Sequence, residues 1–114
     1  MTCWLGPAAR PSSSASTRRS ASGTPAAQWF AALETACLRI ASYGADALVV
    51  SLGVDTWAGD PISKFALQSS DFLRIGERLG YLGLPTVFVF EGGYAVDEIG
   101  INVVNVLEGF ETAA

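Results

Sequence analysis

The sequence predicts an α/β fold in which two parallel strands are joined by a helix and flanked by further helices. Two short apolar runs rich in β-branched residues, 47–53 and 85–90, are typical of strands buried on both faces of a parallel sheet. Stretches with apolar residues at helical spacing lie before, between and after them. Since two strands do not form an independent sheet, we expect this βαβ unit to be the end of a larger one.

The first 23 residues differ in composition from the rest of the chain. They read MTCWLGPAARPSSSASTRRSASG, which is rich in Ser, Ala and Arg, contains no acidic residue and shows no periodicity. We therefore predict that 1–23 is a disordered or non-native N-terminal stretch and that the folded unit spans 24–114. An organellar transit peptide also fits the composition, but a linker or a shifted reading frame is the favoured interpretation.

Three helices are predicted from apolar stripes and from residues that begin or end helices. The first helix is predicted to have Thr24 as its N-cap and Pro25 as its first residue. It should end before Gly44, because glycine adopts the left-handed conformation that follows many helices. In the second helix Ser69 is the expected N-cap and Gly83 ends the helix, and the third helix follows the second strand. The stripe residues are Trp29, Phe30, Leu33, Cys37 and Ile40 in the first helix, Phe72, Ile75, Leu79 and Leu82 in the second, and Ile99, Val103, Val106, Leu107 and Phe110 in the third.

Composition excludes several functional classes. The net charge of −4 argues against a nucleic-acid partner. No apolar run approaches the roughly 20 residues that cross a membrane, so none is expected to do so. Cys3 and Cys37 do not make a disulfide framework, which favours a reducing, cytoplasmic setting. The chain contains no histidine, so a mechanism that needs imidazole cannot be completed by these 114 residues.

Two polar segments follow the predicted strands at the edge where ligands bind to open parallel sheets. Asp55 comes shortly after the first strand, and Tyr94 comes after Gly92 and Gly93 at the end of the second. An aspartate can bind catalytic zinc, and a tyrosine hydroxyl can donate a hydrogen bond to an oxyanion. From position alone, a turn-stabilising aspartate and a packing aromatic are the favoured interpretations.

Three other polar or aromatic residues lie in or near these segments. Asp60 is expected to stabilise its own loop ahead of a proline, and Trp57 either lines a ligand channel or covers the core. Ser51 has no histidine to activate it, so a Ser–His nucleophile is excluded within the chain.

The segments around Asp55 and Tyr94 resemble those of a known family. Residues 46–65, DALVVSLGVDTWAGDPISKF, and residues 84–110, LPTVFVFEGGYAVDEIGINVVNVLEGF, resemble two segments of the histone deacetylase and acetylpolyamine amidohydrolase superfamily. The form of both is similar to bacterial acetylpolyamine amidohydrolases. The resemblance implies the C-terminal portion of an arginase-like parallel-sheet fold and a zinc-dependent hydrolysis of acetylpolyamine or acetyl-lysine amides.

The resemblance also implies a role for each site residue. Asp55 matches a zinc-binding aspartate, and Tyr94 matches the tyrosine that polarises the acetyl carbonyl. Gly92 and Gly93 match the glycines that lead to that tyrosine and border the substrate. The family's Asp-x-His zinc segment and its pair of catalytic histidines have no counterpart here, so the chain alone is expected to be inactive.

Two alternatives stay open beside an inactive C-terminal fragment. The chain could act as half of a split enzyme, completed by an upstream chain, or assemble as a homo-oligomer. It could also be a non-catalytic interaction module that kept the sheet and lost the chemistry. An unrelated ligand-binding α/β domain is less favoured, because no phosphate-binding loop occurs.

Overall fold

The computed structural model describes residues 2–5, 13–16, 25–54, 58, 67–93 and 96–113. Within them the chain forms a sheet with strand order β2-β1-β3-β4 and helices packed against it. The elements are β1 (Thr2–Leu5), β2 (Ser13–Ser16), α1 (Ala26–Tyr43), β3 (Leu48–Leu52), α2 (Ser69–Gly80), β4 (Thr86–Phe90) and α3 (Ile99–Ala113). Strands β3 and β4 are parallel and are joined through α2. The α/β class and the βαβ unit predicted from the sequence are therefore confirmed.

Helix α1 packs its predicted apolar stripe into the core and ends at the predicted glycine. Trp29, Leu33, Cys37 and Ile40 are all buried. Gly44 has φ 74°, and its N–H donates to the carbonyl of Ala41. The helix begins one residue later than expected, because Pro25 is extended and acts as the N-cap. Thr24, the expected cap, lies outside the described residues.

Helix α2 begins with a reciprocal cap that the sequence analysis did not predict. The N–H of Gln68 donates to Oδ2 of Asp71 at 2.9 Å, and the N–H of Asp71 donates to the backbone carbonyl of Gln68 at 2.9 Å. Gln68 rather than Ser69 is therefore the N-cap. The helix ends at Gly80, three residues before Gly83, which follows in a left-handed conformation with φ 66°.

Helices α2 and α3 cross closely because each presents a glycine to the other. A Cβ atom on Gly76 would strike the carbonyl oxygen of Val106 and lie 2.8 Å from the amide nitrogen of Phe110. A Cβ atom on Gly109 would strike the carbonyl oxygen of Leu73. The absence of both side chains lets the two backbones touch.

The two faces of the β3–β4 pair differ in burial. Leu48, Val50 and Leu52 are buried and belong to one cluster with the buried residues of α1, α2 and α3. The opposite face, which we call the open face, carries Val49, Ser51, Val87 and Val89, and its three valines are 37%, 60% and 50% exposed in chain order. The prediction that both strands are buried on both faces is wrong for this chain, because its described helices pack against one face.

Two short strands lie within the described part of the first 23 residues. Strand β1 pairs antiparallel with β3, from Thr2 opposite Ser51 to Leu5 opposite Leu48, and β2 pairs antiparallel with β1. Backbone pairing explains these strands, because the free edge of β3 offers unpaired N–H and C=O groups to any extended segment. The predicted boundary at 24 stays a prediction.

Candidate active site

Strands β3 and β4 end at the same edge of the sheet. Leu52 lies opposite Phe90 at the ends of the two strands. The N–H of Glu91 donates to the carbonyl of Leu52 at 2.9 Å, so the pairing continues to the first residue after β4. The segments that follow the two strands therefore start side by side, as the βαβ rule predicts.

The two segments touch one residue before the predicted site residues. A Cβ atom on Gly93 would lie 2.8 Å from Cγ2 of Val54 and 3.4 Å from Cγ1 of Ile99. Val54 itself is buried. A side chain at position 93 would therefore push the two segments apart, so the contact requires glycine.

The backbone at Gly92 and Gly93 takes a conformation that other residues rarely adopt. Their φ angles are 62° and 93°, both in the region that favours glycine. Both positions therefore favour glycine, directly before Tyr94 in the sequence. A substrate-binding role for these glycines stays a prediction.

Asp55 and Tyr94 directly follow Val54 and Gly93 in the chain and lie outside the described residues. Trp57 and Asp60 also lie outside the described residues. The roles expected of Asp55, Tyr94, Trp57 and Asp60 therefore stay predictions. The structure brings together Val54 and Gly93, the residues that precede Asp55 and Tyr94.

Ala58 and Leu67, on either side of the undescribed residues 59–66, are joined by a backbone hydrogen bond. The N–H of Ala58 donates to the carbonyl of Leu67 at 2.7 Å, and Leu67 is buried in the core. The side chain of Asn105 donates to the carbonyl of Ser69 at 2.9 Å, which fixes the start of α2 to α3. The start of α2 is thus held to α3, and Leu67, two residues before it, is held to Ala58.

Asn102 is a buried polar residue near the candidate site that the sequence analysis missed. It is fully buried on the face of α3 that also carries Val106, one turn after Ile99, the residue that packs near Gly93. Within the described residues neither its amide nitrogen nor its amide oxygen has a hydrogen-bond partner. Its position on the helical stripe, three residues after Ile99, was the available signal.

The part of the chain that the structure describes does not contain a complete zinc site. The described residues contain no group of three His, Cys, Asp or Glu side chains placed to bind a metal ion, and the whole sequence lacks histidine. Catalytic zinc takes three protein ligands.

Cys37 and the one described ion pair between helices α1 and α2 lie away from this edge. Cys37 is a buried core residue. Burial raises the pKa of its thiol, which disfavours the reactive thiolate form. Arg78 binds Glu34 through Nε and Nη2, at 2.6 and 2.9 Å, and joins α2 to α1.

None of the helices in the described ranges is long and apolar enough to cross a membrane.

Comparison with protein families gives one match over most of the chain. The histone deacetylase domain matches residues 15–110. Acetylpolyamine amidohydrolase 1 of Pseudomonas aeruginosa is 66% identical over 86 residues, which cover 75% of this chain and 25% of that protein. The acetylpolyamine amidohydrolase of Mycoplana ramosa is 53% identical over 87 residues, which cover 76% and 26%. This chain thus spans about a quarter of the length of these curated relatives.

A solved structure shares the fold. The crystal structure of an acetylpolyamine aminohydrolase from Burkholderia pseudomallei superposes with a TM-score of 0.78 at 36% sequence identity. The superposition covers 81% of this chain and 27% of that one. The predicted relationship to this superfamily and the predicted deacetylase-type parallel-sheet fold are confirmed.

Proposed function

Because this chain belongs to the histone deacetylase family, we propose that it forms part of the active site of a zinc-dependent amidohydrolase. The hydrolase would cleave acetyl-amide bonds. The observation that carries the proposal is the contact between Val54 and Gly93 at the common end of β3 and β4. The family match gives this contact a chemical meaning, since the next residues are Asp55 and Tyr94.

Tyr94 is proposed to act on the substrate carbonyl. Its hydroxyl would donate a hydrogen bond to the acetyl oxygen as negative charge develops there, which stabilises the transition state more than the ground state. The left-handed turn at Gly92 and Gly93 sets the direction in which the chain enters Tyr94. Without side chains, these glycines would also let the substrate approach the backbone.

Asp55 is proposed to be one zinc ligand of the complete enzyme. A histidine ligand and a histidine general base must come from polypeptide outside these 114 residues, because the sequence contains none. We therefore propose that the chain alone does not turn over substrate. Loss of a general base by itself lowers rates by roughly 10²–10⁴-fold.

An acetylated polyamine is the proposed substrate, with acetyl-lysine as the second choice. The relatives that match this chain are named as acetylpolyamine amidohydrolases. The chain carries a net charge of −4, and an acidic surface attracts a cationic substrate.

A chimaera tests this function without relying on the isolated chain. Residues 25–110 would replace the matched segment of the Pseudomonas aeruginosa relative, and hydrolysis of an acetylpolyamine would be measured beside an acetyl-lysine peptide. We expect an active chimaera that prefers the polyamine. Tyr94→Phe should lower kcat by about 10²–10³-fold with zinc content unchanged, as removal of one oxyanion donor does.

Asp55→Ala in the same chimaera should lower the zinc content measured by atomic absorption. The parent chimaera, purified in parallel, is the control for metal loss during handling. A chimaera that keeps full activity with Tyr94→Phe, or keeps its zinc with Asp55→Ala, would contradict the assigned roles.

The isolated 114-residue chain gives a separate check. With added zinc it should show no turnover above its own Tyr94→Phe variant. Turnover above that control would show that the chain alone is active.

A further inference from the structure

Asp71 and Asn102 are the buried polar residues of the described part of the chain, and their surroundings differ. The Asp71 carboxylate accepts hydrogen bonds from the N–H of Gln68 and from the guanidinium of Arg74. Asn102 is 0% exposed, and within the described residues neither its amide nitrogen nor its amide oxygen has a partner. An unpaired buried amide costs folding free energy, so an asparagine kept in this state calls for a reason outside the packing of the chain.

Asn105 shows how an asparagine of the same helix is used for packing. It follows Asn102 by three residues on α3, and its side chain donates to the carbonyl of Ser69 at 2.9 Å. This hydrogen bond joins α3 to the start of α2. The contact between the two helices therefore explains Asn105 and leaves Asn102 without a role.

Asn102 lies in the first turn of α3, at the end of the helix that borders the candidate site. Its own N–H donates to the carbonyl of Glu98 at 3.0 Å. Ile99, three residues earlier, places Cγ1 at 3.4 Å from the position of a Cβ atom on Gly93. Since the Cα–Cβ bonds of a helix tilt toward its N-terminus, the side chain of Asn102 starts out toward this end of α3.

We propose that Asn102 is a positioning residue for Tyr94, which follows the left-handed residues Gly92 and Gly93. The inference rests on the proposed function. In the complete enzyme the Asn102 carboxamide hydrogen-bonds to the backbone where the chain leaves Gly93. A carboxamide supplies donors and an acceptor at once, which the apolar residues of the same helical face cannot do.

The proposed role affects the transition state rather than the binding of substrate. An oxyanion donor acts only when it lies about 3 Å from the position that the oxyanion takes. Support of the backbone at Tyr94 would keep its hydroxyl at this distance as charge develops on the acetyl oxygen. Loss of the support should therefore lower kcat and leave KM nearly unchanged.

The stability of the isolated chain tests whether the amide is unpaired. Leucine has nearly the shape of asparagine, so Asn102→Leu removes the buried polar groups without opening a large cavity. We expect it to raise the Tm of the chain by roughly 4 °C or more, because these groups no longer have to be desolvated. Asn105→Leu, the matched control, should lower the Tm by roughly 2–6 °C, since it removes a hydrogen bond. Thermal unfolding followed by circular dichroism measures both shifts.

The same two variants should separate differently in the chimaera. Asn102→Leu should lower kcat for the acetylpolyamine by about 10–100-fold, because a small displacement of a catalytic group has a cost of this size. Its KM should change by no more than about threefold, and its zinc content should equal that of the parent. Asn105→Leu should change kcat by no more than about threefold. A variant that is more stable and slower is typical of a polar residue retained for function.

A double-variant cycle tests whether Asn102 acts through Tyr94. In Tyr94→Phe the hydroxyl that Asn102 would position is already absent. On this background Asn102→Leu should lower kcat by no more than about threefold, compared with about 10–100-fold on the parent. A residue that only supports the fold would lower kcat by the same factor on both backgrounds.

Four results would each overturn the inference. The first is a Tm that falls with Asn102→Leu as it does with Asn105→Leu, and the second is a kcat that stays at the parent value. The third is an equal loss of kcat on the two backgrounds. The fourth is loss of zinc from the Asn102→Leu chimaera, which would assign the residue to the metal site instead of Tyr94.

Two further measurements keep the outcomes distinct. Should the leucine chimaera fail to fold, Asn102→Ala repeats the cycle with a smaller side chain. Full activity of the Tyr94→Phe chimaera would contradict the proposed function itself, whereas an active chimaera that needs Tyr94 but not Asn102 would overturn this inference alone.

Discussion

The two faces of the same strands have opposite environments although both are apolar. On the covered face, Val50 is fully buried beneath the helices. On the open face, Val87 and Val89 are at least half exposed. Both faces consist mainly of β-branched or aliphatic residues, so side-chain type does not distinguish them.

The difference shows that the described chain contains one covering layer of a fold that needs two. An α/β domain buries its parallel sheet between helices on both faces. Here residues of α1, α2 and α3 cover one face of the β3–β4 pair. The candidate site lies at the carboxyl end of the strands, which borders both the covered face and the open face.

Shortening the same residue type on each face measures this difference directly. Val50→Ala should lower the free energy of unfolding by about 2–3 kcal/mol, because two buried carbon atoms are lost and a cavity remains. Val89→Ala should change it by less than about 0.5 kcal/mol in the chain alone. Urea unfolding followed by circular dichroism gives both values, and equal effects would contradict the assignment of covered and open faces.

The contact between α2 and α3 can be broken to loosen the covered face. Gly76→Ala should destabilise the chain by about 2 kcal/mol, because its methyl group would strike the backbone of Val106, which no side-chain rotation can relieve. Gly100→Ala is the matched control on an exposed helical position with no atom within 4 Å of the added carbon. It should stabilise the chain by about 0.5 kcal/mol. Loss of stability in both variants would show that a cause common to the two positions, rather than the crossing of α2 and α3, determines the effect.

Local sequence signals predicted the elements well where one residue type has one physical role. Gly44 marked the end of α1 because the left-handed conformation there favours glycine. The two apolar runs gave β3 and β4, and the order of elements gave their parallel pairing. The prediction that both strands are buried on both faces was wrong, because the apolar character of a residue does not show whether the elements that cover it belong to this chain.

Features that depend on tertiary contact were not predictable in this way. The Gly76–Val106 and Gly93–Val54 contacts join residues far apart in sequence, and strand β1 exists through pairing with β3 rather than through a pattern of its own. Asn102 lies on the same face of α3 as the apolar residue Val106, so the helical periodicity did not identify it as a buried polar residue. For the site, position placed the two segments at one edge, whereas the roles of Asp55 and Tyr94 came from the family resemblance and stay predictions.

The ion pair between α1 and α2 is expected to contribute less to stability than the buried packing contacts of the covering layer. Two hydrogen bonds from Arg78 lower the pKa of the Glu34 carboxyl, and the field of the guanidinium acts in the same direction. Because the folded pKa lies below the unfolded one, the contribution of the pair is present above the unfolded value of about 4.3 and is lost as pH falls through the folded value. Half of the Glu34 side chain is exposed, so solvent and salt screen the interaction.

Glu34→Gln should therefore destabilise the chain at pH 7 by less than either Val50→Ala or Gly76→Ala. The difference between parent and variant should shrink as pH falls from about 5 toward 3, because the parent carboxyl then becomes neutral as well. It should also shrink in 1 M NaCl, where the Debye length is about 3 Å. Thermal unfolding of both proteins across this pH and salt range checks the sign. A difference that stays constant down to pH 3 would mean that Glu34 stabilises the contact between α1 and α2 through packing rather than through its charge.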